Sequence, residues 1–141
     1  STITDVPDEK KIELPVFEEL QMGMSTGLAL EGYVPITCYP RFDFLILAIN
    51  QLVNHLDKMK TMSKGEMNPK VIIRTAVGAK KPLDGGVQHT QNHTEAFKNM
   101  LTEVDVVLLE EPEQIFPTFK KAYEGDKSTL IIEYGDYYGQ K

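Results

Sequence analysis

The chain has 141 residues, enough for one domain with a core of its own and tight for two. With 21 acidic against 15 basic residues the net charge is −6, which argues against binding through nucleic-acid phosphates or an anionic membrane surface. A single cysteine, Cys38, excludes an internal disulfide and fits a reducing compartment, so a cytoplasmic location is expected.

Residues 1–10 are polar and read as a flexible lead into one domain spanning 1–141. The run 11–14 (KIEL) reads as a first strand. Over 18–31, Leu20, Met24, Leu28 and Ala29 recur at helical spacing and Gly32 is a natural stop. Gly23 and Gly27, one turn apart inside that helix, cost ~1 kcal/mol each relative to alanine, so a neighbouring element is expected to approach closely there. The run 34–39 (VPITCY) is the second strand, with Cys38 read as a small core residue. Residues 42–62 form the strongest helix, with Leu45, Ile49, Leu52, Val53, Leu56 and Met59 in one apolar stripe. Strands follow at 71–77 (VIIRTAV), 104–109 (VDVVLL) and 129–134 (TLIIEY), with helices at 93–100 and 113–123. On the last helix Ile115, Phe116, Phe119 and Ala122 share one side.

Nearly continuous apolar runs rich in β-branched residues are the mark of strands covered on both faces. Their alternation with helices predicts an α/β fold: a three-layer α/β/α sandwich around a mainly parallel sheet of about five strands. The stretch 78–92 (GAKKPLDGGVQHTQN) is a long polar loop after a central strand. Ligands bind at the carboxyl ends of such strands, so it is a candidate binding loop. The longest unbroken apolar run, 44–49, is far shorter than a membrane span, and 1–11 holds no apolar signal stretch.

Generic phosphate-binding and hydrolase motifs are absent. His89 and His93 share H-x-x-x-H spacing but lack a nearby acidic partner, which argues against zinc. His55 reads as a partly exposed helical histidine. Glu18 and Glu19 by themselves need be no more than favourable charge at a helix N-terminus, and Phe42 and Phe44 no more than core.

Taken together, 15–59 resembles the pyrimidine-binding domain of thiamine-diphosphate enzymes, most nearly the beta subunit of 2-oxo acid dehydrogenases. The resemblance is carried by Pro15 to Glu18, by Gly23 to Pro35 (G-x-x-x-G-x-A-x-x-G-x-x-P), by Phe42 to Phe44, and by Asn50-Gln51 with Asn54. It continues through Val71 to Gln91, where the family has V-I-R, a glycine loop and H-S-Q, and ends at the strand closing on Glu133. It covers 11–138.

The resemblance implies roles residue by residue. Glu18 matches the glutamate at the aminopyrimidine ring of thiamine diphosphate. There a carboxyl hydrogen-bonded to the ring nitrogen favours the imino form, which lets the cofactor's own amino group remove the thiazolium proton. A partly buried carboxyl suits that task. Phe44 matches the aromatic that stacks on the ring, Val16 and Pro40 line the same pocket, and His89 matches the histidine facing the reacting centre. Catalysis thus falls to Glu18 and His89, and cofactor contacts to Glu18, Phe44, Val16 and Pro40.

Departures accompany the likeness. Pro40 and Cys38 stand where relatives often carry Gln or Met and an acid, and Tyr137 and Gly139 replace basic residues. Gly125-Asp126-Lys127 and Gly135-Asp136-Tyr137 do not reproduce the G-D-G…N motif for magnesium and diphosphate. Such relatives also carry a helix and strand ahead of the region of Lys11 and a domain after that of Tyr138. Half a cofactor site is therefore expected here. A diphosphate-binding, alpha-type subunit would hold Mg2+ and complete the site, in a homodimer or hetero-oligomer. The reaction implied is 2-oxo acid decarboxylation and dehydrogenation, or two-carbon transfer. Two other readings remain: a non-catalytic dimerisation or regulatory module derived from such a domain, and an unrelated small-molecule or nucleotide binder.

Overall fold

A computed structural model describes residues 3–138. Four parallel strands form one sheet in the order β1-β2-β4-β3: β1 (Ile36–Tyr39), β2 (Ile72–Val77), β3 (Asp105–Leu108) and β4 (Thr129–Tyr134). The α/β reading with a parallel sheet holds, with four strands rather than five. The run 11–14 joins no strand among the described residues. Only two of its four residues are apolar, Ile12 is 65% exposed and Pro15 follows, so no burial repays its ordering.

The strand register sorts alternate residues onto two faces. Tyr39, Ile73, Val77, Leu130 and Ile132 enter the main core. That face is covered by α1 (Glu18–Leu30) through Met22 and Ala29, by the helical stretch 42–62 through Phe42, Leu45, Ala48, Leu52 and Leu56, and by α4 (Thr94–Met100) through Phe97. Among the described residues the one helix over the opposite face is α5 (Ile115–Glu124), where Phe119 and Ala122 pack on Ile72, Ile131 and Val107.

In α1 the buried face is Met22, Ser25, Thr26 and Ala29, while Leu20 and Met24 are exposed. The predicted stripe is displaced because the Ser25 and Thr26 hydroxyls donate to the carbonyls of Gln21 (2.8 Å) and Met22 (3.0 Å). Satisfied within their own helix, these hydroxyls can be buried without penalty. Gly23 meets only the Gln51 side chain, and beside Gly27 the space is open, so no close approach is found there.

The stretch 42–62 is α-helical at its ends, α2 (Phe42–Leu45) and α3 (Asp57–Met62), with a 3-10 turn at Ile46–Ala48 and π winding over Asn50–Leu56. The wider winding places Leu52 and Leu56 fully inward and leaves Ile49 and Val53 half-buried. Asp57 is buried at the junction with α3. Its carboxylate binds the Lys58 ammonium (2.7 Å) and accepts the backbone N–H groups of Thr102, Glu103 (2.8 Å) and Val104 (2.9 Å). Burial alone would raise its pKa. Those donors outweigh it and bring the carboxyl down to about 2. Asp57 thereby ties the long helix to the entry of β3.

Lys70 works at the same end of the sheet, where β2 enters. Its ammonium binds the carbonyls of Tyr123 (2.7 Å) and Gly125 (3.0 Å) at the end of α5 and lies over the Tyr123 ring.

Candidate functional site

Glu18, Pro40, Phe44 and His89 lie about the carboxyl ends of β1 and β2. Glu18 is the first residue of α1 and is half-buried. The start of α1 is fixed to β1 at two points. Gln21 donates to Thr37 Oγ1 (2.8 Å) and to the Cys38 carbonyl (2.9 Å), and the Tyr39 hydroxyl donates to the Glu18 carbonyl (3.4 Å). Burial holds the Tyr39 phenol well above its usual range, so it remains a proton donor. Asn50, one turn beyond α2, binds the neighbouring Glu19 carboxylate (3.1 Å).

The loop 78–92 folds back onto α2. His89 lies edge-to-face on Phe44, with ring centroids 5.5 Å apart, and its Nδ1 is 2.9 Å from the Gly85 carbonyl. Two glycines make room for it. A Cβ at Gly78 would stand 1.8 Å from the His89 carbonyl, and one at Gly85 would stand 2.8 Å from the His89 Cβ. Neither position accepts a side chain. The Arg41 guanidinium lies against both glycines, bringing a positive charge close to the histidine. At the loop's other end, the Asp136 carboxylate accepts the Lys80 N–H (2.8 Å), and Gly135 packs on the Ala79 nitrogen. The Gly135-Asp136 pair thus anchors the loop.

Phe44 is 40% exposed, so part of its ring remains available to a ligand. Val16, two residues before Glu18, is 93% exposed. Pro40 is exposed in the turn between β1 and α2. The structure therefore brings together Phe44 and His89, and fixes Glu18 beside the strand that feeds Phe44. Val16 and Pro40 contribute accessible surface only.

Other expectations fare differently. Cys38 is exposed on the edge strand, not in the core. Its side lies on the thinly covered face, opposite Arg74 in register. His89 and His93 do not form a pair, because each ring packs on its own phenylalanine, Phe44 and Phe42. Among the described residues no group of three His, Cys, Asp or Glu side chains is placed to hold a metal, and no helix is long and apolar enough to cross a membrane. Gly139 lies outside the described residues.

Two residues near the site, Arg41 and Asp43, escaped sequence reasoning because they lie among residues read for their aromatics, while Gln91 entered only as the last letter of the H-S-Q likeness. The signal available was their alternation with Phe42, Phe44 and His89.

The chain is similar over most of its length to known proteins. It is 27% identical over 134 residues to the pyruvate dehydrogenase E1 component subunit beta of Gracilaria tenuistipitata var. liui, covering 95% of this chain and 41% of that protein. A 3-methyl-2-oxobutanoate dehydrogenase subunit beta of Mycobacterium tuberculosis is 30% identical over 91 residues, 64% of this chain and 24% of that one. The likeness is thus to beta subunits of 2-oxo acid dehydrogenases. An Arabidopsis thaliana pyruvate dehydrogenase E1 component subunit beta-3, chloroplastic, is 25% identical over 134 residues, 95% of this chain and 32% of that one. The chain thus spans well under half the length of each of these beta subunits. No family model matches it.

Proposed function

We propose that this chain forms the pyrimidine-binding half of a thiamine-diphosphate site, in a 2-oxo acid dehydrogenase of beta-subunit type. The observation that carries the reading is the junction of β1 with α2. A half-buried carboxylate, a partly exposed aromatic ring and an imidazole seated on two glycines lie around one sheet end. That donor set fits an aminopyrimidine: a flat ring to stack on, a carboxyl for a ring nitrogen, and an imidazole beside them.

Thiamine diphosphate, when bound, supplies a nucleophilic carbon for attack on a 2-oxo acid carbonyl. In this reading the residues have separate tasks. Phe44 orients the ring. Glu18 holds a hydrogen at the ring nitrogen and so governs its tautomer. His89, steadied by the Gly85 carbonyl, moves protons on the substrate side. Val16 and Pro40 cover the ring's edges. An alpha-type partner supplies the diphosphate and Mg2+ contacts.

The test is hydrogen–deuterium exchange at the thiazolium carbon, followed by NMR in the mixture with an alpha-type subunit. Glu18→Gln is expected to slow exchange by ~10²–10⁴-fold with binding largely kept. Unchanged exchange would remove Glu18 from the chemistry.

One observation favours the second reading, a dimerisation module. Leu20, Met24 and the open surface at Gly27 leave the outer side of α1 apolar and uncovered. Self-association at micromolar concentration without affinity for the cofactor in any mixture would select it.

A further inference from the structure

The loop carrying His89 meets α2 in a regular way. Phe42, Asp43 and Phe44 are consecutive on α2, and they engage His93, Gln91 and His89 in that order. The outer two contacts are aromatic: Phe42 with His93 and Phe44 with His89, each at 5.5 Å between ring centroids. The middle one is polar. A single carboxylate oxygen of Asp43, Oδ1, accepts both the Gln91 side-chain amide (2.9 Å) and the Gln91 N–H (3.3 Å).

Asp43 is placed at a cost. It is only 8% exposed, and its second oxygen, Oδ2, has no hydrogen-bond partner among the described residues. A buried carboxylate with one idle oxygen is a poor way to stabilise a core. An apolar residue would fill the position better, but it could not hold two donors from the loop. The aromatic contacts cannot set the register alone, because stacking tolerates sliding and rotation while a charge-assisted hydrogen bond has a fixed direction.

We infer that Asp43 is the positioning residue of the His89 loop: by gripping Gln91 it sets the register in which His89 meets Phe44. The inference rests on the proposed role of His89 and Phe44 as site residues. Asp43 acts through Gln91 and touches nothing that reacts.

The experiment follows the imidazole Cε1–H resonances by NMR in the full chain, without cofactor. Phe44→Leu identifies the His89 resonance by removing its aromatic neighbour. Gln91 is exposed, so Gln91→Glu leaves the core intact while setting two carboxylates face to face. In that variant the His89 resonance is expected to move toward its position in Phe44→Leu, with His55, outside the contact, unchanged. Adding Asp43→Asn to Gln91→Glu replaces the repulsion with an amide–carboxylate bond and is expected to restore the resonance. A His89 resonance unmoved by Gln91→Glu, or not restored by the second substitution, overturns the inference. Failure of the functional reading is distinguishable: thiamine diphosphate would not bind in calorimetry, while the resonance pattern held.

Discussion

The two faces of the sheet solve the same problem differently. On one, Phe42, Leu45, Leu52 and Leu56 close over Ile73, Leu130 and Ile132, all at most 4% exposed. On the other, α5 is the one covering helix among the described residues, and beyond its reach the sheet carries charge. There Arg74 grips Glu133 through two hydrogen bonds of 2.8 Å, and the Tyr138 hydroxyl donates to the same carboxylate. Burial, then that bond to Glu133, pushes the Tyr138 phenol up to about 12. Closure by packing rigidifies a surface on which helices can be set accurately, and the candidate site stands on that side. Closure by a self-satisfying polar cluster keeps a half-open face ordered without a second layer.

That contrast can be broken by substitution. Phe42→Ala is expected to cost about 3–5 kcal/mol in urea denaturation, since the ring is fully buried between Phe97 and His93. Arg74→Ala is expected to cost less, about 2–3 kcal/mol by the same measurement. It strands the Glu133 carboxylate, but the guanidinium side chain is already 19% exposed. A larger loss for Arg74 than for Phe42 would reverse the assignment of the two faces.

Asp57 sharpens the comparison, being a charge on the closed side. Its pKa is depressed from an ordinary 3.8 to about 2 in the fold. A depressed carboxyl contributes stability above its unfolded pKa and loses it as pH falls through the folded one. It should therefore supply about 2 kcal/mol at neutral pH that disappears between about pH 4 and pH 2. Denaturation of wild type and Asp57→Asn across that range should converge at the acid end, and parallel curves would contradict the account. The smallest effect is expected for Cys38→Ser. On an exposed edge strand it should stay within about 0.5 kcal/mol in a thermal melt, whereas a true core thiol would cost several times more.

What the sequence disclosed follows the same division. Strands β2 and β4 were legible because covered strands read as unbroken apolar runs. The pairing of Arg74 with Glu133 inside those runs was not, since periodicity does not reveal that two charges neutralise each other across neighbouring strands. The α1 stripe was misplaced for a related reason, because Ser25 and Thr26 satisfy their hydroxyls locally and so occupy apolar positions. Among the candidate site residues, Phe44 and His89 were singled out through family likeness, and the structure adds their contact. The contacts of Arg41, Asp43 and Gln91 were not legible, because their partners lie nearly fifty residues away or against bare glycines. A contact of that kind leaves no local pattern.

We propose that this chain contributes half of a thiamine-diphosphate site. This is tested most directly by calorimetric titration of thiamine diphosphate with Mg2+ into the chain alone, into an alpha-type subunit alone, and into their mixture. The account predicts tight binding only in the mixture, weakened by Phe44→Ala. Absence of binding in every mixture, or binding in the mixture indifferent to Phe44, would contradict it.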